Sequence, residues 1–225
     1  HAFFDSNEYE KYQDGDKSCK EKRPSLIRSL NGQGLKIGLL DVGLKENIVR
    51  SLSMRGCDVT VYPAWTPAAE ILADQPDGIM ISNGPGDPKE CTSIIAEVRK
   101  LYESNVPIFA ICLGHQLMAL ATGADTHKMK YGHRGGNHPV KNLKTGRIEI
   151  TSQNHSYAVV PESLENTPLT VTHINLLDNT VEGVACGEDR AFSVQYHPES
   201  APGPQDSRYL FRQFIQLMEE GKHHA

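Results

Sequence analysis

The sequence predicts an α/β fold in which helices flank a mostly parallel central sheet. Between residues 35 and 123, apolar runs of strand length alternate with segments of helical period, which is the order expected of βαβ units. After Gly123 this alternation gives way to short β-like runs with turn-rich connections. These runs indicate an antiparallel extension of the same sheet. We therefore expect one domain over residues 35–220, preceded by a charged tail or linker over residues 1–34.

The first half of this domain is expected to hold four strands, each followed by a helix. The first of the helices has Ile48, Val49 and Leu52 at helical spacing and ends at Gly56. The predicted strands cover residues 36–40, 58–62, 78–82 and 108–111, and the predicted helices cover residues 44–55, 66–73, 90–104 and 112–123.

The second half is expected to be mainly β, closed by a single helix. That helix would run from about residue 206 to residue 220, with its apolar face on Leu210, Phe214 and Leu217. Within the charged stretch before the domain, one helical turn is expected at residues 25–30. The β-like runs cover residues 147–151, 157–160, 169–173, 181–185 and 191–195.

Composition argues against several classes of function. The formal net charge of -5 gives no reason to expect nucleic acid or an anionic membrane as a general partner. No apolar run approaches the roughly 18 residues that a membrane span needs, and dense charge follows the first residues where a secretory signal would be apolar. The 5 cysteines are scattered, without a CxxC pair, which is typical of a reducing compartment. We therefore expect a cytoplasmic protein without disulfides, structural metal or cofactor.

The segment 107–116 carries the first chemical signal. Its apolar run leads directly into Cys112 and then into a helical segment, which is the strand, turn and helix of a nucleophile elbow. The amide of Leu113 would face a developing oxyanion, and the positive end of the helix would favour a thiolate. Alternatively, Cys112 is only a small buried side chain at the end of a strand.

A thiol nucleophile needs a base, and the segment after the last predicted strand offers one. His197 and Glu199 are two residues apart, so in an extended segment both face the same side. His197 could take the thiol proton, and Glu199 could orient the imidazole. The plain alternative is that His197, one of 10 histidines, has a structural role.

Two further segments favour a site for a polar, uncharged substrate. Asn83–Pro88 (NGPGDP) contains Gly84 and Gly86, which let the backbone approach a ligand closely, and one of their amides could be a second oxyanion donor. The segment lacks the Gly-Lys-Ser/Thr of a phosphate loop and is otherwise a simple tight turn. Residues 153–157 (QNHSY) add amides and an aromatic ring after another strand.

Residues 128–140 (KMKYGHRGGNHPV) are rich in histidine, arginine and lysine. Metal binding by His133 and His138 is weakly indicated, because the segment contains no cysteine and no carboxylate. A polar loop at the edge of a site or an interface is the favoured interpretation.

Taken in order, Gly84–Gly86 (GPG), Cys112–Gln116 (CLGHQ) and His197–Glu199 (HPE) resemble the class I, or triad, glutamine amidotransferases. Residues 82–88, 128–140, 152–155 and 201–204 are similar to the glutaminase domain of the carbamoyl-phosphate synthase small subunit. The resemblance covers residues 35–218 and implies a flavodoxin-like α/β fold.

The resemblance also implies a role for each matching residue. Cys112 would attack the carboxamide of glutamine, with His197 as base, Glu199 as its partner, and the amides of Gly84 and Leu113 as oxyanion donors. Ammonia would pass to a synthetase partner, a large subunit, that makes carbamoyl phosphate for pyrimidine and arginine biosynthesis. The positions that match the glutamine pocket are Gly84, Gly86, Leu113, Gln116, Asn154, Ser156 and Tyr157.

Two departures from this pattern leave alternatives open. Ser156 stands where the family usually has glycine, and a positive φ there would be costly for serine. In the family, the small subunit carries a further N-terminal domain, and here a charged stretch stands in its place, which suggests a fragment or a stand-alone protein. The alternatives are a γ-glutamyl amide hydrolase or peptidase on the same fold, and a non-catalytic subunit that senses glutamine.

Overall fold

The computed structural model describes residues 23–24, 34–186, 190–200 and 203–223. Within these residues, ten strands form one mixed sheet in the order β1-β3-β2-β4-β5-β10-β9-β8-β6-β7. The strands are β1 (Arg23–Pro24), β2 (Lys36–Asp41), β3 (Asp58–Pro63), β4 (Gly78–Ile81), β5 (Ile108–Ile111), β6 (Thr126–Asn142), β7 (Ile148–Val159), β8 (Leu169–Asn175), β9 (Val181–Cys186) and β10 (Ala191–Val194).

The centre of the sheet is parallel, as the sequence predicts. Strands β3, β2, β4, β5 and β10 pair in parallel, so their carboxyl ends meet at one edge of the sheet. Strands β4, β5 and β10 are buried throughout, because helices cover both faces of a parallel sheet. The α/β fold with a mostly parallel core is therefore confirmed.

Three of the five described α-helices connect the parallel strands β2 to β5, the fourth follows β5 and leads into β6, and the fifth closes the chain. One side of the sheet packs on Val98, Leu101 and Leu117, and the other on Leu52 and Phe214. None of the described helices is long and apolar enough to span a membrane. The helices are α1 (Glu46–Ser53), α2 (Ala68–Ala73), α3 (Thr92–Glu103), α4 (Leu113–Ala121) and α5 (Tyr209–His223).

The antiparallel extension is also confirmed, and it is longer than the sequence suggests. Strands β9, β8, β6 and β7 pair antiparallel in succession beyond β10. Residues 148–159 form the single strand β7, whereas the sequence predicts two separate runs at 147–151 and 157–160.

The predicted polar loop at residues 128–140 is wrong, because these residues belong to the 17-residue strand β6. The strand pairs with β7 through register shifts after Lys128 and Gly135, and many of its side chains are exposed. Because consecutive residues of this strand are exposed, it does not need alternating apolar residues, so the usual strand pattern is missing.

The boundary of the charged stretch at residues 1–34 stays a prediction. Within this stretch, the short strand β1 pairs antiparallel with β3. Arg23 lies opposite Val61, and Pro24 lies opposite Thr60. The helical turn expected at residues 25–30 lies outside the described residues.

Candidate active site

Cys112 lies at the carboxyl edge of the sheet, between β5 and the first residue of α4. Its backbone amide donates to the carbonyl of Val194 on β10 over 2.9 Å, which holds the turn against the neighbouring strand. Its backbone angles are φ 53° and ψ -104°, a conformation that residues other than glycine rarely adopt. The expected nucleophile elbow is therefore present in the backbone, with the strain at the residue that carries the thiol.

The helix after Cys112 can begin this sharply because Gly114 lies directly on the neighbouring strand. A Cβ atom on Gly114 would lie 2.5 Å from the carbonyl oxygen of Ile81 and 2.8 Å from that of Ser82. The amide of Gly114 donates to the Ser82 carbonyl over 3.1 Å. As the first helical residue, Leu113 has an amide without an intrahelical acceptor, so that amide can serve a ligand.

His197 and Glu199 lie together just after β10, as the sequence predicts. The Nδ1 atom of His197 is 2.8 Å from Oε1 of Glu199, and both side chains are buried. The other ring nitrogen is left for the Cys112 thiol, with which His197 shares a side-chain hydrogen bond. The backbone amide of His197 donates to the Ser152 carbonyl over 2.9 Å, which holds this residue against β7.

Lys45 is a further charged group beside this pair. Its Nζ atom lies 3.2 Å from Oε1 of Glu199 and 3.3 Å from Nδ1 of His197. Since Nδ1 serves Glu199 and an ammonium group only donates, the productive contact of Lys45 is with the carboxylate. Lys45 and His197 therefore share one oxygen of Glu199.

The electrostatics of the site favour a charged His197. Burial by itself would lower the pKa of His197, but the Cys112 thiolate and the Glu199 carboxylate outweigh burial and raise this pKa to about 9. Burial would raise the pKa of Glu199, but the hydrogen bond and charge of His197, with the charge of Lys45, hold it below its usual value. The arrangement can hold a thiolate and an imidazolium side by side, which is the resting state of an activated cysteine.

The glycine loop after β4 packs directly against the elbow. A Cβ atom on Gly84 would lie 1.8 Å from the carbonyl oxygen of Val42 and 2.8 Å from the Leu113 side chain, so only glycine fits. Gly86 has a φ of 98°, so here glycine is favoured by the backbone conformation and not by lack of space for a side chain. The two predicted oxyanion residues, Gly84 and Leu113, are thus in contact.

Asn83 joins this loop to the loop after β2. Its Oδ1 atom accepts from the amide of Lys45 over 3.1 Å, and its Nδ2 atom donates to the Gly43 carbonyl over 3.0 Å. The preceding residue, Ser82, accepts from the amide of Val42 over 3.0 Å. These bonds hold the position of Lys45 relative to the glycine loop.

A cavity of about 930 Å³ lies over these residues at the carboxyl edge of the sheet. Glu199 and Leu113 do not line it, because Glu199 lies behind His197, and Leu113 packs beneath Gly84. The predicted site residues that line the cavity are Gly84, Gly86, Cys112, Gln116, Asn154, Ser156, Tyr157 and His197.

The far wall of the cavity is formed by α4 and β7. Gln116 is buried, and its Nε2 atom donates to the Tyr157 carbonyl and to Oε1 of Gln195, each over 2.9 Å. The phenol of Tyr157 is hydrogen-bonded to Asp87 in the glycine loop. The two predicted pocket segments therefore contact each other across the cavity.

Ser156 does not need the positive φ that its position suggested. Among the described residues, the non-glycine positive-φ positions are Gln75, Asn105, Cys112, Asn179 and Ser200. Ser156 is therefore in ordinary strand backbone, and its hydroxyl accepts from Nη2 of Arg134 over 2.6 Å. Serine is compatible with the backbone at this position.

Sequence reasoning missed Lys45, and it placed the loop with Asn83 and Asp87 at the site without giving their side chains a role. A signal was available for all three, because each follows a strand of the parallel core and so falls on the edge where ligands bind. Lys128 and Arg134 were assigned to a loop, although β6 brings Lys128 to the cavity and Arg134 to Ser156.

Comparison with known proteins agrees with this geometry. The model of the class I glutamine amidotransferase family matches residues 38–217. The chain is 58% identical over 191 residues to the carbamoyl phosphate synthase small chain of Staphylococcus epidermidis, covering 85% of this chain and 52% of that protein. It is 56% identical over 197 residues to the same-named protein of Listeria innocua, covering 86% and 54%. The chain thus spans about half the length of the curated relatives it matches.

A solved structure has the same fold. A putative GMP synthase protein from Thermoplasma acidophilum superposes with a TM-score of 0.74 at 25% identity, covering 84% of this chain and 96% of that one. The family match spans most of the domain, including the elbow, the glycine loop and the His197 segment. This chain belongs to the class I glutamine amidotransferase family.

Proposed function

We propose that this chain hydrolyses glutamine to glutamate and ammonia with a Cys112, His197 and Glu199 triad. The observation that carries the proposal is the continuous contact from the thiol to His197, both of which line the cavity, and from His197 over 2.8 Å to Glu199 behind it. The name of the family and the names of the small-chain relatives support the same substrate class.

In the first half of the reaction, His197 already holds the proton of Cys112, and the thiolate attacks the carboxamide carbon of glutamine. The amides of Gly84 and Leu113 would stabilise the oxyanion that forms. When this intermediate collapses, the C–N bond breaks and His197 returns its proton to the leaving nitrogen. The products are ammonia and a glutamyl thioester on Cys112.

In the second half, His197 takes a proton from water as the water oxygen attacks the thioester carbon. The C–S bond breaks, glutamate leaves, and the proton returns to the Cys112–His197 pair. Glu199 stays charged throughout and keeps Nδ1 of His197 protonated, so that the other nitrogen can exchange the reacting proton.

The ammonia is proposed to supply carbamoyl-phosphate synthesis by a synthetase large subunit. Support comes from the relatives, which are 55–58% identical and are named carbamoyl phosphate synthase small chain. The cysteines are scattered along the sequence, and the four cysteines among the described residues form no disulfide. Because disulfides are rare in the cytoplasm, the proposal includes a cytoplasmic location. Residues 1–34 are proposed to be a tail or linker before the catalytic domain, attached to the edge of its sheet where Arg23 and Pro24 pair with β3.

The test is covalent labelling of the full chain with an electrophilic glutamine analogue, read by peptide mass spectrometry with and without excess glutamine. Labelling at Cys112 that glutamine suppresses is the expected result. Cys91, a partly buried cysteine, is the internal control, because it should remain unlabelled. Ammonia release should be lost in Cys112→Ser.

Two other outcomes would point to the alternative functions. Labelling of Cys112 that glutamine does not suppress would favour a γ-glutamyl amide hydrolase or peptidase with a different substrate. A Cys112 that stays unlabelled, combined with glutamine binding by calorimetry, would favour a glutamine-sensing subunit. Adding the large subunit of a synthetase and measuring carbamoyl phosphate tests the proposed acceptor separately.

A further inference from the structure

Three strands of the antiparallel extension bring two histidines and a glutamate together behind the cavity. His133 lies on β6, His155 on β7 and Glu182 on β9, and their side chains are buried. One nitrogen of each histidine and one carboxylate oxygen all lie within 4.8 Å of one another. Neither the proposed triad nor the proposed glutamine contacts use His133 or Glu182.

The outer nitrogen of each histidine is held by an acceptor. Nδ1 of His155 lies 2.9 Å from the Tyr157 carbonyl, which only accepts, so Nδ1 carries the proton and the lone pair is on Nε2. Nε2 of His133 lies 2.8 Å from Oδ2 of Asp178, which leaves Nδ1 facing Glu182. Histidines that bind metals are held in this way, with the outer N–H donated to a carbonyl or carboxylate.

Among the inner atoms, Oε1 of Glu182 accepts from Nδ2 of Asn175 over 3.3 Å, whereas Nε2 of His155 faces acceptors. Nε2 of His155 is 2.9 Å from Oε1 of Gln153 and 3.9 Å from Oε1 of Glu182, and all three are acceptors. The Gln153 amide is oriented by Thr151, whose hydroxyl donates to the His138 carbonyl and accepts from Nε2 of Gln153. Oε2 of Glu182 is also buried, without a hydrogen-bond partner among the described residues. A cation would satisfy this group of acceptors.

The spacing suits a small divalent metal. Nδ1 of His133 lies 3.2 Å from Oε1 of Glu182, and Nε2 of His155 lies 3.9 Å from the same oxygen. In a tetrahedral zinc site with metal–ligand distances of about 2.0–2.1 Å, neighbouring ligand atoms are about 3.3 Å apart.

A second cavity, of about 440 Å³, offers a path for entry. It is lined by both His133 and Asp178 and opens on the side of the sheet extension. On the other side of the cluster, His155 lines the large cavity. An ion could therefore reach His133 without passing through the proposed glutamine site.

We propose that Nδ1 of His133, Nε2 of His155 and Oε1 of Glu182 form a binding site for a divalent transition metal of the zinc class. The sequence indicated metal binding here only weakly, because residues 128–140 contain no carboxylate. The fold supplies one carboxylate from β9 and another from Asp178, in the turn before it. A bound ion would link β6, β7 and β9 behind the wall of the large cavity and stabilise the extension.

The test uses the full chain, stripped of metal and titrated with Co²⁺ and then Zn²⁺. His223 and His224 are replaced by alanine in every sample, because a terminal histidine pair would bind metal by itself. The expected result is one equivalent of Co²⁺ with the visible absorption of a tetrahedral site and without thiolate-to-cobalt charge transfer. Zn²⁺ should displace the Co²⁺ and raise the melting temperature.

Matched variants separate this site from other binding. His133→Asn and Glu182→Gln should each weaken Co²⁺ binding at least about tenfold, and Asp178→Asn should weaken it about 10–100-fold by releasing the outer nitrogen of His133. His127→Asn, in the same second cavity but outside the cluster, should leave the affinity unchanged. Asp178 is partly exposed, so its variant tests the site even if a change at buried Glu182 prevents folding.

Three results would overturn the proposal. The first is that neither Co²⁺ nor Zn²⁺ binds stoichiometrically. The second is that the chain without these changes and the three site variants bind Co²⁺ with equal affinity. The third is a cobalt spectrum dominated by thiolate ligation. The last result would assign the metal to Cys112 or another cysteine. None of these results bears on glutamine hydrolysis, which the labelling experiment tests separately.

Discussion

His197 and Glu199 are two residues apart in the chain, and their side chains meet over 2.8 Å between Nδ1 and Oε1. Lys45 approaches the same oxygen over 3.2 Å from the loop after β2. The orientation of the proposed base therefore depends on a contact within one short segment and on a cation from a distant one. Both contacts can be tested independently.

Glu199→Gln should strongly reduce glutamine hydrolysis while leaving the fold intact. The amide keeps the shape of the carboxylate but loses the charge that favours imidazolium and the tautomer with Nδ1 protonated. We expect kcat to fall about 10²–10⁴-fold, within the range that acid–base catalysis contributes. The fall in kcat is measured by ammonia release at saturating glutamine, and circular dichroism is the folding control. If the variant is nearly as active as the native chain, Glu199 has no role in the proposed triad.

Stability should depend on the ionisation of His197. Its pKa is raised from 6.5 to about 9, so the stabilisation is fully present below pH 6.5 and is lost as the pH rises through 9. The free energy of unfolding should fall by up to about 3 kcal/mol across this window, at about 1.36 kcal/mol per pKa unit. Urea unfolding at several pH values measures it. His197→Asn is the control, since the difference between the two pH profiles removes other titrating groups. If stability depends on pH in the same way in the native chain and in His197→Asn, the raised pKa does not belong to His197.

Gly84→Ala should destabilise the domain and abolish hydrolysis. The new methyl group would lie 1.8 Å from the Val42 carbonyl, so the loop must move away from Leu113 and the oxyanion site. Overpacking of this kind costs about 1–3 kcal/mol or more. Thermal unfolding and glutaminase assays measure the two effects. Gly136→Ala is the matched control, because a Cβ there would lie 3.7 Å from its nearest neighbour. Equal melting temperatures would contradict the close packing.

Ser156→Gly should have a small effect, because the backbone at this position does not need glycine. The variant loses the hydrogen bond from Arg134 and adds backbone freedom in a strand, at a combined cost of about 1–2 kcal/mol. We expect KM for glutamine to rise a fewfold, with kcat nearly unchanged. Steady-state kinetics measures both constants. Arg134→Gln should reproduce the change in KM, and a large fall in kcat in either variant would give this pair a direct catalytic role.

The parallel half of the fold could be predicted from sequence, because each buried strand is a short apolar run and each covering helix has a visible period. The elbow at Cys112 and the glycines of the loop after β4 could be found for a related reason. Their backbone requirements are local, and glycine or a strand-to-helix junction marks them directly in the sequence. The segment from His197 to Glu199 is equally local.

The antiparallel ribbon could not be predicted in the same way. Strand β6 exposes many consecutive side chains, and the buried face of β7 carries polar residues such as Thr151, Gln153 and His155, so neither strand shows an apolar alternation. Propensity and turn residues then favour a loop, and only the pairing of the two strands decides otherwise.

By itself, the sequence determined the order of strands and helices in the parallel half, the nucleophile candidate and the pairing of His197 with Glu199, since these depend on neighbours in the chain. The tertiary structure decided that Lys45 lies beside Glu199, that Gly84 contacts Leu113, and that Glu182 faces His133 and His155. These contacts join residues far apart in sequence. Their distances depend on sheet order and register, which the packing of the whole domain sets and no local pattern records.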